Sequence, residues 1–147
     1  MTRERTRTVA AAVITMLIMF TTSAARRSAA VSGPVLSVSP ATVVFAPTPV
    51  GGFTYATVTI TNSGDAADFI STATPVEPPF FAPFAGTCNT SVDPISGKNF
   101  YLLPGSACTF QWGFNPSRAG RQTATGTLYF ESGATLTVSL IGRGLPH

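Results

Sequence analysis

Beyond residue 30 few side chains can do chemistry. They are two cysteines (Cys88, Cys108), one histidine (His147) and five carboxylates (Asp65, Asp68, Glu77, Asp93, Glu131). Nucleophilic catalysis of the Ser-His-Asp or Cys-His kind needs a base held on a rigid element by a third group. The lone histidine is the last residue, where chain ends fray into solvent. A paired-carboxylate hydrolase needs two acids in one cleft. Asp65 and Asp68 are neighbours only because both fall in a turn, where Asp is a common residue. No G-x-S-x-G, P-loop or dinucleotide fingerprint is present. Two thiols without a histidine make half a zinc site, and their spacing is not C-x-x-C. These residues predict no catalytic, cofactor-binding or metal-binding position, and no cofactor.

The elements that position these groups begin with an address. Residues 2–7, TRERTR, form a basic segment, and Val9 to Phe20 is an uncharged apolar run of 12 residues. Small residues of the kind a signal peptidase accepts follow in TTSAA. A membrane-spanning helix needs about 20 apolar residues, so a cleaved signal over residues 1–25 is expected, with cleavage at Ala24 or Ala25. An uncleaved anchor, helped by Arg26 and Arg27, is the alternative. A flexible linker over residues 26–34 is then expected. The chain carries nine Lys and Arg against six Asp and Glu, but five of those bases precede residue 28. From Val31 on, four bases face five acids, a balance of −1. A nucleic-acid binder needs a basic face, which this balance does not lead one to expect, so no nucleic-acid partner is expected. All three methionines lie in the leader, at positions 1, 16 and 19, so a mature domain has no Met-rich copper site.

In an exported chain, Cys88 and Cys108 are most simply a disulfide, with a redox or metal pair as the alternative. Closing a loop of about 20 residues contributes roughly 3 kcal/mol on the chain-entropy estimate.

The body reads as short strands. Apolar positions alternate with period two between clusters of Gly, Pro, Asn and Asp. The runs are Leu36–Val38, Val43–Phe45, Ala56–Val58–Ile60, Cys108–Phe110–Trp112–Phe114, Leu128–Phe130 and Leu136–Val138–Leu140. Tyr55, Thr57, Thr59 and Thr61 occupy the outward positions of the third run. Phe69 to Ala73 is a weaker strand with no fixed inward register. Two segments break the pattern. Residues 75–84, PVEPPFFAPF, read as loop, because proline cannot donate to a ladder. Residues 89–107 read as a long connection rich in turn signals. About seven strands in this length predict an all-β, immunoglobulin-like antiparallel sandwich rather than a barrel.

The motifs LSVSPATVVFAPTPVGG, ATVTITNSGD and PGSAC…F-x-P-x-x-x-G then become informative. They resemble immunoglobulin-like domains of the abnormal-spindle and Hydin type, including bacterial choice-of-anchor D repeats. That family is similar in architecture to major sperm protein and the pilus chaperone PapD. The resemblance covers about residues 35–144, leaving 145–147 as a tail. It rests on Pro104 to Cys108, Phe114, Pro116 and Gly120, on Thr61, Asn62 and Gly64, and on Leu140, Gly142 and Gly144. Asn62 and Gly64 suit positive-φ turn positions, and Gly120 permits the turn into the next strand. The resemblance implies a non-enzymatic structural or interaction module and brings no catalytic residue. The chain departs from the pattern by having one copy and a longer connection between its cysteines.

Partner-binding candidates are aromatic. Phe80, Phe81 and Phe84 either fold over one end of the sandwich or form an exposed apolar patch. Phe100 and Tyr101 pose the same alternative. Trp112 could stack on a sugar, but its register with Phe110 and Phe114 places it in the core. Asn89-Thr90-Ser91 fits a glycosylation sequon. The leading expectation is an exported binding or structural domain, secreted or extracytoplasmic. Its partner would be an extracellular or cell-envelope protein, docking on these loops or on an edge strand. The competing expectation is a carbohydrate-binding or adhesin module with surface aromatics and a glycan ligand. No membrane contact is expected after signal cleavage.

Overall fold

A computed structural model describes residues 32–75, 77–90, 97 and 100–146. The expected signal peptide, most of the expected linker, the greater part of the connection between the cysteines and His147 lie outside the described residues.

Among the described residues ten strands form two packed sheets: β1 (Leu36–Ser39), β2 (Thr42–Val44), β3 (Thr48–Pro49), β4 (Thr54–Asn62), β5 (Asp68–Thr74), β6 (Phe80–Phe81), β7 (Tyr101–Leu102), β8 (Ala107–Phe114), β9 (Gly120–Phe130) and β10 (Thr135–Leu145). One sheet has the order β1-β4-β8-β6; the other runs β2-β10-β9-β5-β7, with β3 also on β10. The expected all-β sandwich is therefore the observed architecture. It is not wholly antiparallel. After β1 pairs with β4, the chain crosses at Pro40 to the other sheet, where β2 and β3 run parallel to β10.

Alternation sets the core. Val58 and Ile60 of β4, Phe110, Trp112 and Phe114 of β8, Leu128 of β9, and Val138 and Leu140 of β10 are almost fully buried. Burying such side chains is worth roughly 1.5–3 kcal/mol each. Trp112 faces this interior, edge-on to Phe110 at 5.5 Å. Its indole lies against β9 at Gly126, where a Cβ would come within 2.7 Å of the ring. The inward face of β9 reads Gln122, Ala124, Gly126, and at Gly126 the indole occupies the space a side chain would need.

Four details differ from the sequence expectations. Residues 75–84 are not simply loop. Phe80–Phe81 forms β6, and the segment runs along the β8 edge. The Asn115 N–H donates to Pro79 O at 2.7 Å and the Gln111 N–H to Ala85 O at 3.0 Å. Thr87 and Thr109 exchange backbone-to-hydroxyl bonds of 2.9 and 2.8 Å. The Cys88–Cys108 disulfide completes this seam. Second, the connection after Cys88 contributes β7, which pairs with β5. Third, Thr48–Pro49, inside the Pro- and Gly-rich break that follows the Val43–Phe45 run, is β3. Fourth, neither Asn62 nor Gly64 has positive φ. Gly64 is required by crowding instead, since a Cβ there would fall 2.1 Å from Gly33 O. Gly120 does have positive φ, at 102°.

The elusive register of β5 also has a cause. Its pairing with β9 slips between Ile70 and Thr72, a β-bulge at Ser71. The bulge places Ile70 and Ala73, three positions apart, both inward. A bulge of this kind breaks period two.

Candidate functional site

The five aromatic residues singled out by sequence do not form one patch. Phe80 is 1% exposed. It stacks on Phe114 at 4.9 Å and touches Phe45 at 5.6 Å, so it belongs to the core. Phe84 and Phe100 meet edge-on at 5.5 Å, with Phe110 closing the cluster 5.9 Å from Phe84. Both hold left-handed backbone, at φ 51° and 62°. Bulky residues rarely adopt that region; here the two half-buried rings pack against the core beside Phe110. Tyr101 lies against Phe69 at 4.7 Å beside β5.

Phe81 is different. In a two-residue strand neighbouring side chains point to opposite faces, so Phe80 inward sends Phe81 outward. Phe81 pairs with Gly113 of β8, and Gly113 pairs with Tyr55 of β4. These three positions make a row across the outer face of the four-stranded sheet. The middle one must be glycine: a Cβ at Gly113 would lie 2.3 Å from the Phe81 ring. The ring covers the bare backbone and reaches its neighbours edge-on, Tyr55 at 6.1 Å and Phe53 at 6.5 Å. Phe53 is 63% and Tyr55 54% exposed. The outcome is a surface of three aromatic rings on a rigid three-strand support.

The sequence reading did not single out Phe53 or assign Tyr55 a role. One signal was available. Tyr55 occupies an outward position in a strand whose other outward residues are threonines, and Phe53 shares its parity.

Asn62 and Asp68, both buried, serve the fold. Asn62 is wholly buried and uses all its capacity. Its Oδ1 accepts from the N–H of Val35 (3.2 Å) and Gly64 (3.0 Å). Its amide donates to Ala66 O (2.7 Å) and Leu102 O (3.2 Å). Asp68, 2% exposed, accepts from the Phe69 N–H at 2.8 Å, the Ser132 N–H at 3.2 Å and the Ser132 hydroxyl. It locks β5 to the β9–β10 turn. Asp65 accepts from the Gly33 N–H in the turn. The two acids therefore hold separate turns and do not converge on one cleft. Asn89 of the sequon is exposed, next to the disulfide.

No protein-family model matches the chain, and no curated relative matches it. Solved structures do match in fold. The human CEP192 ASH/PapD-like domain 7 superposes with a TM-score of 0.53 at 15% identity, over 76% of this chain and 86% of that one. The VesB protease of Vibrio cholerae gives 0.55 at 17% identity, over 74% of this chain. This chain spans only 31% of the length of that protease. A protein of unknown function from Porphyromonas gingivalis W83 gives 0.56 at 13% identity, over 78% of this chain and 48% of that one. At these identities the likeness is one of fold. The class that results is a β-sandwich module of the immunoglobulin-like, PapD type.

Proposed function

We propose that this chain is an exported, non-enzymatic module of the abnormal-spindle and Hydin type, which binds a protein of the cell envelope or exterior. The observation that carries the reading is the ring surface of Phe53, Tyr55 and Phe81. Contiguous exposed aromatics on a rigid sheet are costly to leave in water and are a common mark of interfaces. The disulfide supports export, because such bonds persist in oxidising compartments. The assignment of Asn62, Asp65 and Asp68 to structural hydrogen bonds supports a role without catalysis.

A second reading rests on the same rings. Sugar rings stack on aromatic faces, so a glycan ligand would fit a carbohydrate-binding or adhesin module. Trp112 is not its platform, because the indole is buried.

Two measurements test these readings. The first is intact mass of the protein recovered outside the cytoplasm, before and after reduction. Loss of residues 1–25 and a gain of about 2 Da on reduction agree with export; a full-length, fully reduced chain refutes it. The second is a side-by-side screen of envelope proteins and polysaccharides with the native chain and a Phe53→Ser/Tyr55→Ser variant. Protein binding lost in the variant supports the leading reading, and polysaccharide binding lost in the variant supports the second. Binding indifferent to both substitutions removes the ring surface from either.

A further inference from the structure

A cleft of about 450 Å³ lies at the opposite sheet's edge, where β2 and β3 flank β10. Its walls are Val44, Phe45, Pro47 and Ile141, and Arg121 and Arg143 stand on its rim. The register explains the opening. Val44 pairs with Ile141 and Thr48 with Gly144, so the edge segment spends four residues where β10 spends three. The Phe45 N–H still reaches Ile141 O at 2.8 Å. Ala46 and Pro47 then leave the ladder, and proline has no N–H to return to it. Val44 is left 71% exposed. The volume is that of a small-molecule site, about 300–1,000 Å³.

The rim is electrically odd. Arg121 and Arg143 are directly opposite each other on β9 and β10. Like charges in that relation destabilise a sheet. Among the described residues no carboxylate, Glu77 included, pairs with either guanidinium. Arg118 is close by, since its carbonyl lies 2.1 Å from where a Cβ of Gly144 would be. Three of the four bases after residue 30 thus gather at this end, although the segment as a whole carries −1. Asp65, Asp68 and Glu131 gather at the other end, around the β4–β5 and β9–β10 turns. The length of β9 separates the two groups, a distance on the order of 30 Å. Charges so far apart, against a screening length of about 8 Å, do not neutralise each other.

We propose that this cleft binds a free alkyl carboxylate of medium chain length. Its tail lies over Val44, Pro47 and Ile141, and its head group sits on Arg121 and Arg143. Planar carboxylates match the guanidinium fork, which offers paired donors. An apolar cleft with two convergent cations selects a molecule with one apolar and one anionic end. The reading is independent of the ring surface, which lies on the other sheet.

The test uses the oxidised protein and decanoate below its micelle threshold, followed by methyl NMR of Val44 and Ile141. Saturable shifts at both methyls are expected, with decanol binding about tenfold more weakly. Arg121→Gln/Arg143→Gln should lose the decanoate preference while melting at or above the native temperature, because a repulsive pair has been removed. Val44→Ser should weaken both ligands together. Decanol binding equal to decanoate, shifts unchanged in the double variant, or no shifts at all would overturn the proposal. So would binding to anionic vesicles of phosphatidylglycerol with none to free decanoate, which makes the end a membrane-contacting basic patch.

Discussion

The two ends of the sandwich use their polar side chains in opposite ways. At the end of the β4–β5 and β9–β10 turns, Asn62, Asp65 and Asp68 are consumed by the fold. Their partners are backbone groups and a serine that would otherwise lack them. At the other end, Arg121 and Arg143 face each other across a ladder and hold nothing among the described residues. Burial separates Asn62 and Asp68, 0% and 2% exposed, from the two exposed arginines; Asp65 is exposed as well and differs from them in holding the Gly33 N–H. A polar side chain that satisfies buried backbone is there for stability. One set against a like charge, with no partner among the described residues, points outward. Polar residue type alone would have suggested the reverse, since acids attract attention as catalytic groups.

The strongest way to break this contrast is at Asn62. Asn62→Ala orphans two backbone N–H groups and two carbonyls, and should destabilise the domain by about 3–5 kcal/mol in urea or guanidinium titration. A loss below about 1 kcal/mol would mean that water replaces the amide and that this end is less committed than it looks. Replacing both cysteines with alanine comes next, at roughly 3 kcal/mol. Asp68→Ala follows at about 2 kcal/mol, read from the same titration. Gly113→Ala tests the ring surface. It should cost about 1–3 kcal/mol through displacement of the Phe81 ring, visible as altered ring shifts of Tyr55 and Phe53. The smallest expected effect sharpens the contrast most: Arg121→Gln should change stability by no more than about 0.5 kcal/mol, with a rise rather than a fall. A clear fall would show that the arginine has a structural partner after all.

How much of this was legible depended on what filled the inward positions. The alternation Phe110, Trp112, Phe114 announced β8 and the core together. The first half of β9 was silent, because its inward positions are Gln122, which bonds Arg118 O, Ala124, and Gly126, which receives Trp112. Complementarity between a large residue and a glycine fourteen positions later leaves no local pattern. The bulge at Ser71 hid β5 in a similar way, and prolines hid β6, whose pairing is confined to two residues at a sheet edge. The ring surface was half visible. Phe81 was among the candidates, but its separation from Phe80 and Phe84 follows from strand parity and left-handed backbone that a cluster of phenylalanines does not reveal. The motif at Asn62 and Gly64 was recognised with the wrong cause, turn geometry in place of close packing against Gly33. The paired arginines needed the β9–β10 register, since 22 residues separate them in sequence.

The parallel pairing of β2 and β3 with β10 has a mechanical meaning. In a parallel pair the chain enters one strand and leaves the other at opposite ends, so tension applied through the two flanks drags the strands past each other lengthwise. The bonds Ser139 N–Ala41 O, Phe45 N–Ile141 O and Val50 N–Leu145 O then bear the load together and cannot open one at a time. An antiparallel edge pulled from adjoining ends would peel bond by bond under a smaller force. A domain wired this way, and laced by a covalent seam along its other sheet, resists stretching along the line of its own chain.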